Sequence, residues 1–238
     1  PRHPTRLPKP ECEPTPAVPM MRIVLASSSP RRRELLTRAG IRFTVIEPPE
    51  ESSIPPGVCA DLAVQLIARQ KAVAVAANVP PGTFVLAADT IVVGPLGPLG
   101  KPRTAERARE MLSSLRGRRH SVLTGICAFH AADGREALGV SRSAVKMHTF
   151  SDSDMDTYVA SGEPLDRCGG YAIQGGGGDL IEAVGGRVDT VIGLDVPLAL
   201  RLLAEVGYPE PLPRAPDVSL TPPRPRRPLT PMRTPSRV

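Results

Sequence analysis

The sequence lacks the spacings on which most metal and redox motifs rest. Its four cysteines, Cys12, Cys59, Cys127 and Cys168, stand far apart with no CxxC pair. That argues against a zinc ribbon or a disulfide framework and suits a reducing compartment. The four histidines, His3, His120, His130 and His148, show neither metal-ligand nor triad spacing, so nucleophilic Ser/His catalysis is not expected. No apolar run approaches the ~18 residues of a membrane span. The proline-rich start has no apolar segment of the kind a secretory signal needs, and the expected setting is the cytoplasm. No Gly-x-x-x-x-Gly-Lys-Ser/Thr occurs, which excludes a Walker-type phosphate loop. No internal repeat is present.

Proline, by contrast, is abundant and unevenly placed. Of 29 prolines in 238 residues, 7 fall in residues 1–20 and 9 in residues 211–238. Such stretches carry too little patterned apolar surface to offset the entropy of ordering, and both are expected to be disordered tails. The chain begins with proline, and Met20 and Met21 stand just before the first apolar run, so residues 1–20 read as an over-extended start. The net charge of +6 resides in the tails, +1 in the first and +5 in the arginine-rich second. The remaining unit, residues 21–210, is near neutral and large enough to bury roughly 70% of its extended surface. Weak, salt-dependent attraction of the C-terminal tail to nucleic acid is the only nucleic-acid contact this distribution implies.

Within that unit the pattern alternates. Ile23–Ala26 and Phe43–Ile46 read as strands, with a helix between them that begins at Pro30 behind a serine cap and stops near Gly40. Residues 59–78 predict a long helix. Residues 84–93 predict a strand interrupted by Asp89-Thr90. A helix is expected over 104–116, a hairpin around Asp133-Gly134, helices over 152–160 and 195–206, and a glycine-rich loop over 169–178. The fold class is α/β, with a mixed sheet and flanking helices.

Four polar insertions in these apolar surroundings are candidates for chemistry. Ser27-Ser28-Ser29-Pro30-Arg31-Arg32, at a strand-to-helix junction, brings hydroxyls, guanidiniums and helix N–H groups to one place, as a polyphosphate requires; a plain serine cap would give the same pattern. Asp89, inside an apolar strand, is costly unless paired or metal-bound, and is a candidate base or ligand. Gly100-Lys101-Pro102 offers a point charge before a helix, or simply a turn. The glycine-rich stretch around Gln174 lets backbone approach a ligand, with an amide able to donate and accept. It does not follow the dinucleotide-binding glycine pattern. Glu47, Glu50 and Glu51 are hard-oxygen donors that could join Asp89 around a divalent cation, or an acidic loop in solvent.

Taken together, these stretches resemble the Maf family of nucleotide pyrophosphatases. The resemblance is carried by Leu25-Ala26-Ser27 through Arg32-Arg33-Glu34-Leu35-Leu36, Ala68-Arg69-Gln70-Lys71-Ala72, Ala88-Asp89-Thr90 and Gly100-Lys101-Pro102. It continues through Ser161-Gly162-Glu163-Pro164-Leu165-Asp166, Gly170-Tyr171-Ala172-Ile173-Gln174-Gly175 and Val191-Ile192-Gly193-Leu194, in that order. It implies an elongated α/β fold with two lobes around a cleft, similar to inosine-triphosphate pyrophosphatases, and a homodimer. It also implies hydrolysis of nucleoside triphosphates to the monophosphate and pyrophosphate with a divalent cation, Mg2+ or Mn2+.

By the same resemblance Asp89 is the proton acceptor. Arg32, Thr90 and Gln174 set base specificity, and Ser27, Arg31, Lys71 and Lys101 hold the phosphates. Asp89 and Glu51 bind the metal, Glu51 (or Glu50) standing beside Ser52, where the family places its glutamate. Asp-Thr together with Ile-Gln-Gly points to the dTTP/UTP branch, with modified pyrimidine nucleotides as further substrates. The alternatives are hydrolysis of 7-methyl-GTP, or a non-catalytic nucleic-acid-binding or division-regulating role through the basic tail. Where the family commonly has Lys-Ala-Gly, this chain has Arg167-Cys168-Gly169.

Overall fold

The computed structural model describes residues 22–49 and 57–209. Both tails, Glu50 and Glu51 lie outside the described residues.

Seven strands form one mixed sheet. The chain runs β1 (Ile23–Ala26), α1 (Pro30–Arg38), β2 (Phe43–Ile46), α2 (Ala60–Ala76), β3 (Phe84–Gly94), β4 (Gly97–Leu99) and α3 (Ala105–Leu115). It continues with β5 (Arg119–His130), β6 (Glu136–Met147), α4 (Asp152–Ala160), β7 (Ile181–Gly185), α5 (Val188–Ile192) and α6 (Val196–Glu205). The sheet order is β2-β1-β3-β5-β6-β7, with β4 on β3. β2, β1 and β3 are parallel, whereas β3, β5, β6 and β7 pair antiparallel. Among the described residues no helix is long and apolar enough to cross a membrane.

Side chains alternate along a strand, and this decides what each face packs against. Ile23 and Leu25 meet Leu35 and Leu36 of α1 and Leu202 and Leu203 of α6. Val24 and Ala26 meet Ala68, Ala72 and Val75 of α2 on the opposite face. With both faces covered, β1 is apolar throughout. A further cluster, Val92, Val122 and Met147 with Leu112 and Leu115 of α3 and Met155 of α4, surrounds the other end of the long strands. β3 therefore passes from one apolar cluster to another, with Asp89-Thr90 between them. Truncating a fully buried leucine of either cluster to alanine would cost about 2–5 kcal/mol.

Three expectations need correction. β3 is not interrupted at Asp89-Thr90; it pairs with β5 without a break from Phe84 to Val93. Ser29 occupies the cap position of α1, but its side chain makes no capping bond. The backbone N–H of Ser29 donates instead to Ser27 Oγ at 3.2 Å. The glycine-rich stretch is not a plain loop either, for 3₁₀ turns form at Cys168–Gly170 and Gly176–Leu180.

Candidate active site

The break lies beside β3 rather than in it. β1 ends at Ala26, opposite Ala87, and β4 begins to pair only at Val92. Among the described residues, 88–91 thus have no strand neighbour on that edge, and a cavity of about 730 Å³ opens there, within the size range of small-molecule sites. Asp89 has the parity of Val85 and Ala87 and faces α2. Thr90 has the parity of Leu86 and Ala88 and faces α1. Both line the cavity, because with no strand in the way each face reaches it.

On the α2 side, Lys71 Nζ donates to Asp89 Oδ1 at 2.7 Å, with side chains 8% and 15% exposed. The reach depends on Gly125, which pairs with Asp89 across the sheet. A Cβ on Gly125 would lie 2.4 Å from the backbone carbonyl of Val64. Only a residue with no side chain lets α2 lie this close to β5.

On the α1 side, Arg32 is held through all three guanidinium nitrogens. Nε donates to Gly193 O at 2.8 Å, Nη1 to Ser27 Oγ at 3.3 Å and Nη2 to Thr90 Oγ1 at 3.2 Å. Gly193 follows α5 with φ of 126°, a region that a side chain rarely adopts. Behind Thr90, Thr124 lies 2.9 Å away, fully buried, and donates to Thr190 O at 2.8 Å.

The rest of the lining divides by chemistry. Six cations, Arg31, Arg32, Lys71, Lys101, Arg103 and Arg167, face three carboxylates, Glu47, Asp89 and Asp166. Burial, reinforced by the like charges of Arg167 and Arg32, holds Arg31 below the ordinary guanidinium value. An excess of cations that repel one another is a receptor for a polyanion. Among the described residues Arg167 Nε is buried without a hydrogen-bond partner. Lys101 meets Asp166 at 3.0 Å, and Arg103, with φ of 67°, hangs from the same turn through its N–H to Leu165 O. Ile67, Ile91, Val92, Val122, Ile173 and Ile192 supply apolar surface.

Ser27, Arg31, Arg32, Lys71, Asp89, Thr90 and Lys101 are thus brought together around one cavity, as the sequence implies. Gln174 is not among the lining residues, which end at Ile173 on that side. Its loop is anchored nearby, since the Gly176 N–H donates to Glu163 Oε2 at 3.0 Å. Glu51 and Glu50 lie outside the described residues, while Glu47 lines the cavity. Among the described residues no three His, Cys, Asp or Glu side chains are grouped to hold a metal unaided. Sequence reasoning passed over Arg103, Arg167 and Thr124 as site residues. The positive charge at Arg167, beside the Gly-Glu-Pro-Leu-Asp motif, was the available signal for one of them; a threonine within a strand gave none.

The family described as Maf-like protein matches residues 22–206. A dTTP/UTP pyrophosphatase of Anaeromyxobacter dehalogenans is 45% identical over 80% of this chain and 96% of its own length. One from Myxococcus xanthus is 45% identical over 79% and 94%, and one from Halalkalibacterium halodurans 39% identical over 79% and 98%. Among solved structures, the Staphylococcus aureus Ham1 protein aligns with a TM-score of 0.40 at 16% identity, over 54% of this chain and 72% of that one; at that distance it adds nothing to the sheet order described above. From its first strand to its last helix, the chain belongs to the Maf family.

Proposed function

We propose that this cavity hydrolyses dTTP and UTP to the monophosphate and pyrophosphate. The observation that carries the reading is the cation-lined cavity at the sheet gap, with Asp89 on its wall. The relatives named dTTP/UTP pyrophosphatase support the choice of nucleotide. Arg31, Lys101, Arg103 and Arg167 hold the triphosphate, and the apolar residues around Ile173 receive ribose and base. Lys71 fixes the Asp89 carboxylate through Oδ1, so that it receives a proton from the attacking water, a role worth typically 10²–10⁴ in rate. Arg32 and Thr90 stand at the base side, and Gln174, next to the lining residue Ile173, is the candidate for the base edge once the nucleotide is bound.

A divalent cation, Mg2+ or Mn2+, suits the donor chemistry. Asp89 and Glu47 are hard-oxygen carboxylates in the lining, and a site completed by substrate phosphates needs only one or two such groups. When bound, the cation neutralises charge on the phosphates. A nucleotide substrate and the free thiols of Cys59 and Cys127 fit a cytoplasmic location.

The test is to incubate the purified protein and magnesium with a panel of nucleoside triphosphates and to measure the products. Release of pyrophosphate, fastest from dTTP and UTP, is expected. Release of orthophosphate instead, or no turnover of any nucleotide, overturns the reading.

A further inference from the structure

We infer that Thr124 is a positioning residue: it takes up the Thr90 hydroxyl proton, leaving Thr90 only acceptor capacity toward the cavity, so that it acts on the nucleotide by aiming Arg32. The argument is one of proton counting. A threonine hydroxyl has one proton to donate. Thr124 Oγ1 lies 2.8 Å from the Thr190 carbonyl oxygen, which can only accept. Thr124 and Thr190 are both fully buried, so leaving that carbonyl unmet would carry the cost of an unsatisfied buried group. The Thr124 proton is therefore committed to Thr190.

The contact between Thr90 Oγ1 and Thr124 Oγ1 at 2.9 Å then has one solution, in which Thr90 donates. Thr90 has no second proton for a substrate. Its remaining capacity is as an acceptor, and Arg32 Nη2 donates to it at 3.2 Å. Were the proton reversed, it would point at a guanidinium that has only donors. Register makes this arrangement inherent to the sheet. Thr90 and Thr124 are directly opposed on β3 and β5, so their side chains share a face and meet without help from a loop. Gly193 completes the setting, since a Cβ there would lie 3.4 Å from Thr90 Oγ1 and 3.5 Å from Arg32 Nε.

The relay ends in a polar cluster of its own. Ser141 Oγ lies 2.7 Å from Thr190 Oγ1 and donates to Asp195 Oδ2 at 2.6 Å. Asp195 also caps α6, accepting from the Leu198 N–H at 3.0 Å. The segment that presents the Thr190 carbonyl is thus fixed before any ligand arrives.

Thr124→Val keeps the shape and removes the hydroxyl, whereas Thr124→Ser keeps the hydroxyl. The activity arm rests on the pyrimidine triphosphate reading above. In it, Thr124→Val lowers the ratio of kcat/KM for dTTP over GTP by about tenfold, the scale of one mis-set hydrogen bond. Thr124→Ser retains the ratio, and Thr124→Val changes it no further in a Thr90→Val background. An unchanged ratio in Thr124→Val, or additive effects of the two valine substitutions, overturns the proposal. A second arm needs no activity: solvent exchange of the Arg32 Nε–H, followed by NMR, is faster in Thr124→Val than in wild type or Thr124→Ser. If wild type turns over no nucleotide, the functional reading fails and this exchange decides the relay, with equal rates in all three proteins overturning it.

Discussion

Asp89 and Asp189 are both carboxylates set among apolar residues, and each is bound to a cation, yet they are built for different ends. Asp189 is fully buried and accepts four hydrogen bonds: from Arg187 Nε at 2.9 Å and Nη2 at 2.7 Å, from the Thr190 N–H at 3.0 Å and from the Val196 N–H at 3.2 Å. Both oxygens are saturated. Among the described residues Asp89 accepts one, from Lys71 to Oδ1, and it faces a cavity. A carboxylate whose lone pairs are all occupied has nothing left to offer a ligand and serves the fold; one held at a single oxygen is oriented but still available as a base. The lesson is to count acceptor sites still open, rather than to ask whether a buried charge is paired.

The sharpest way to break the comparison is to exchange each carboxylate for its amide. Asp89→Asn should lower turnover by ~10²–10⁴ with the fold intact; a folded variant with near-normal turnover would remove Asp89 from the chemistry. Asp189→Asn should do the reverse. It costs about 3 kcal/mol in urea unfolding, the low end for a broken buried pair because Arg187 is over a third exposed, while the protein that remains folded keeps its kcat. If Asp189→Asn is instead stable and inactive, saturation is not the dividing criterion.

His120 extends the question to a buried group satisfied on one side only. Its Nε2 lies 2.6 Å from the Tyr171 hydroxyl and its Nδ1 has no partner. Burial lowers its pKa to about 4. The folded state therefore keeps the ring neutral where the unfolded chain already takes up a proton, so stability is complete above about pH 6.5 and declines as the pH falls toward 4. The decline attributable to this group is on the order of 3 kcal/mol. Chemical denaturation of His120→Gln across that window should show a flatter slope than wild type; an identical slope would assign the loss elsewhere.

Smaller still is the effect expected at the base edge. Thymine and uracil present two acceptors around one N–H, which an amide can match and an ionised carboxylate cannot. Gln174→Glu should cost dTTP and UTP about 1–3 kcal/mol in kcat/KM, and guanine nucleotides less. Equal losses for all nucleotides would place Gln174 in the common chemistry rather than in base choice.

Much of this architecture was legible because it is periodic. β1, β2 and the helices α2, α3, α4 and α6 follow from apolar spacing. β4, β7 and α5, three to five residues each, are too short to show a period. The reading of β3 went astray for a physical reason. A polar pair in an apolar run looks like the end of a strand, whereas here the strand is continuous and its neighbour stops. The cavity residues of the first helix were visible as charge in an apolar context. Thr124 was not, since threonine is an ordinary strand former and its importance lies in the carbonyl across from it.

The gap beside residues 88–91 also has a meaning for folding. An open strand edge is a row of backbone donors and acceptors awaiting a partner, and here that row lies inside a cavity rather than on the surface. On the function proposed above, a nucleotide seated in it would stand where the missing strand would be, so that the sheet would be finished by its ligand. Occupancy and stability are then one equilibrium seen from two ends. At a ligand concentration of 100 times Kd the folded state gains about 2.7 kcal/mol, and the nucleotide pool becomes part of what keeps the protein folded.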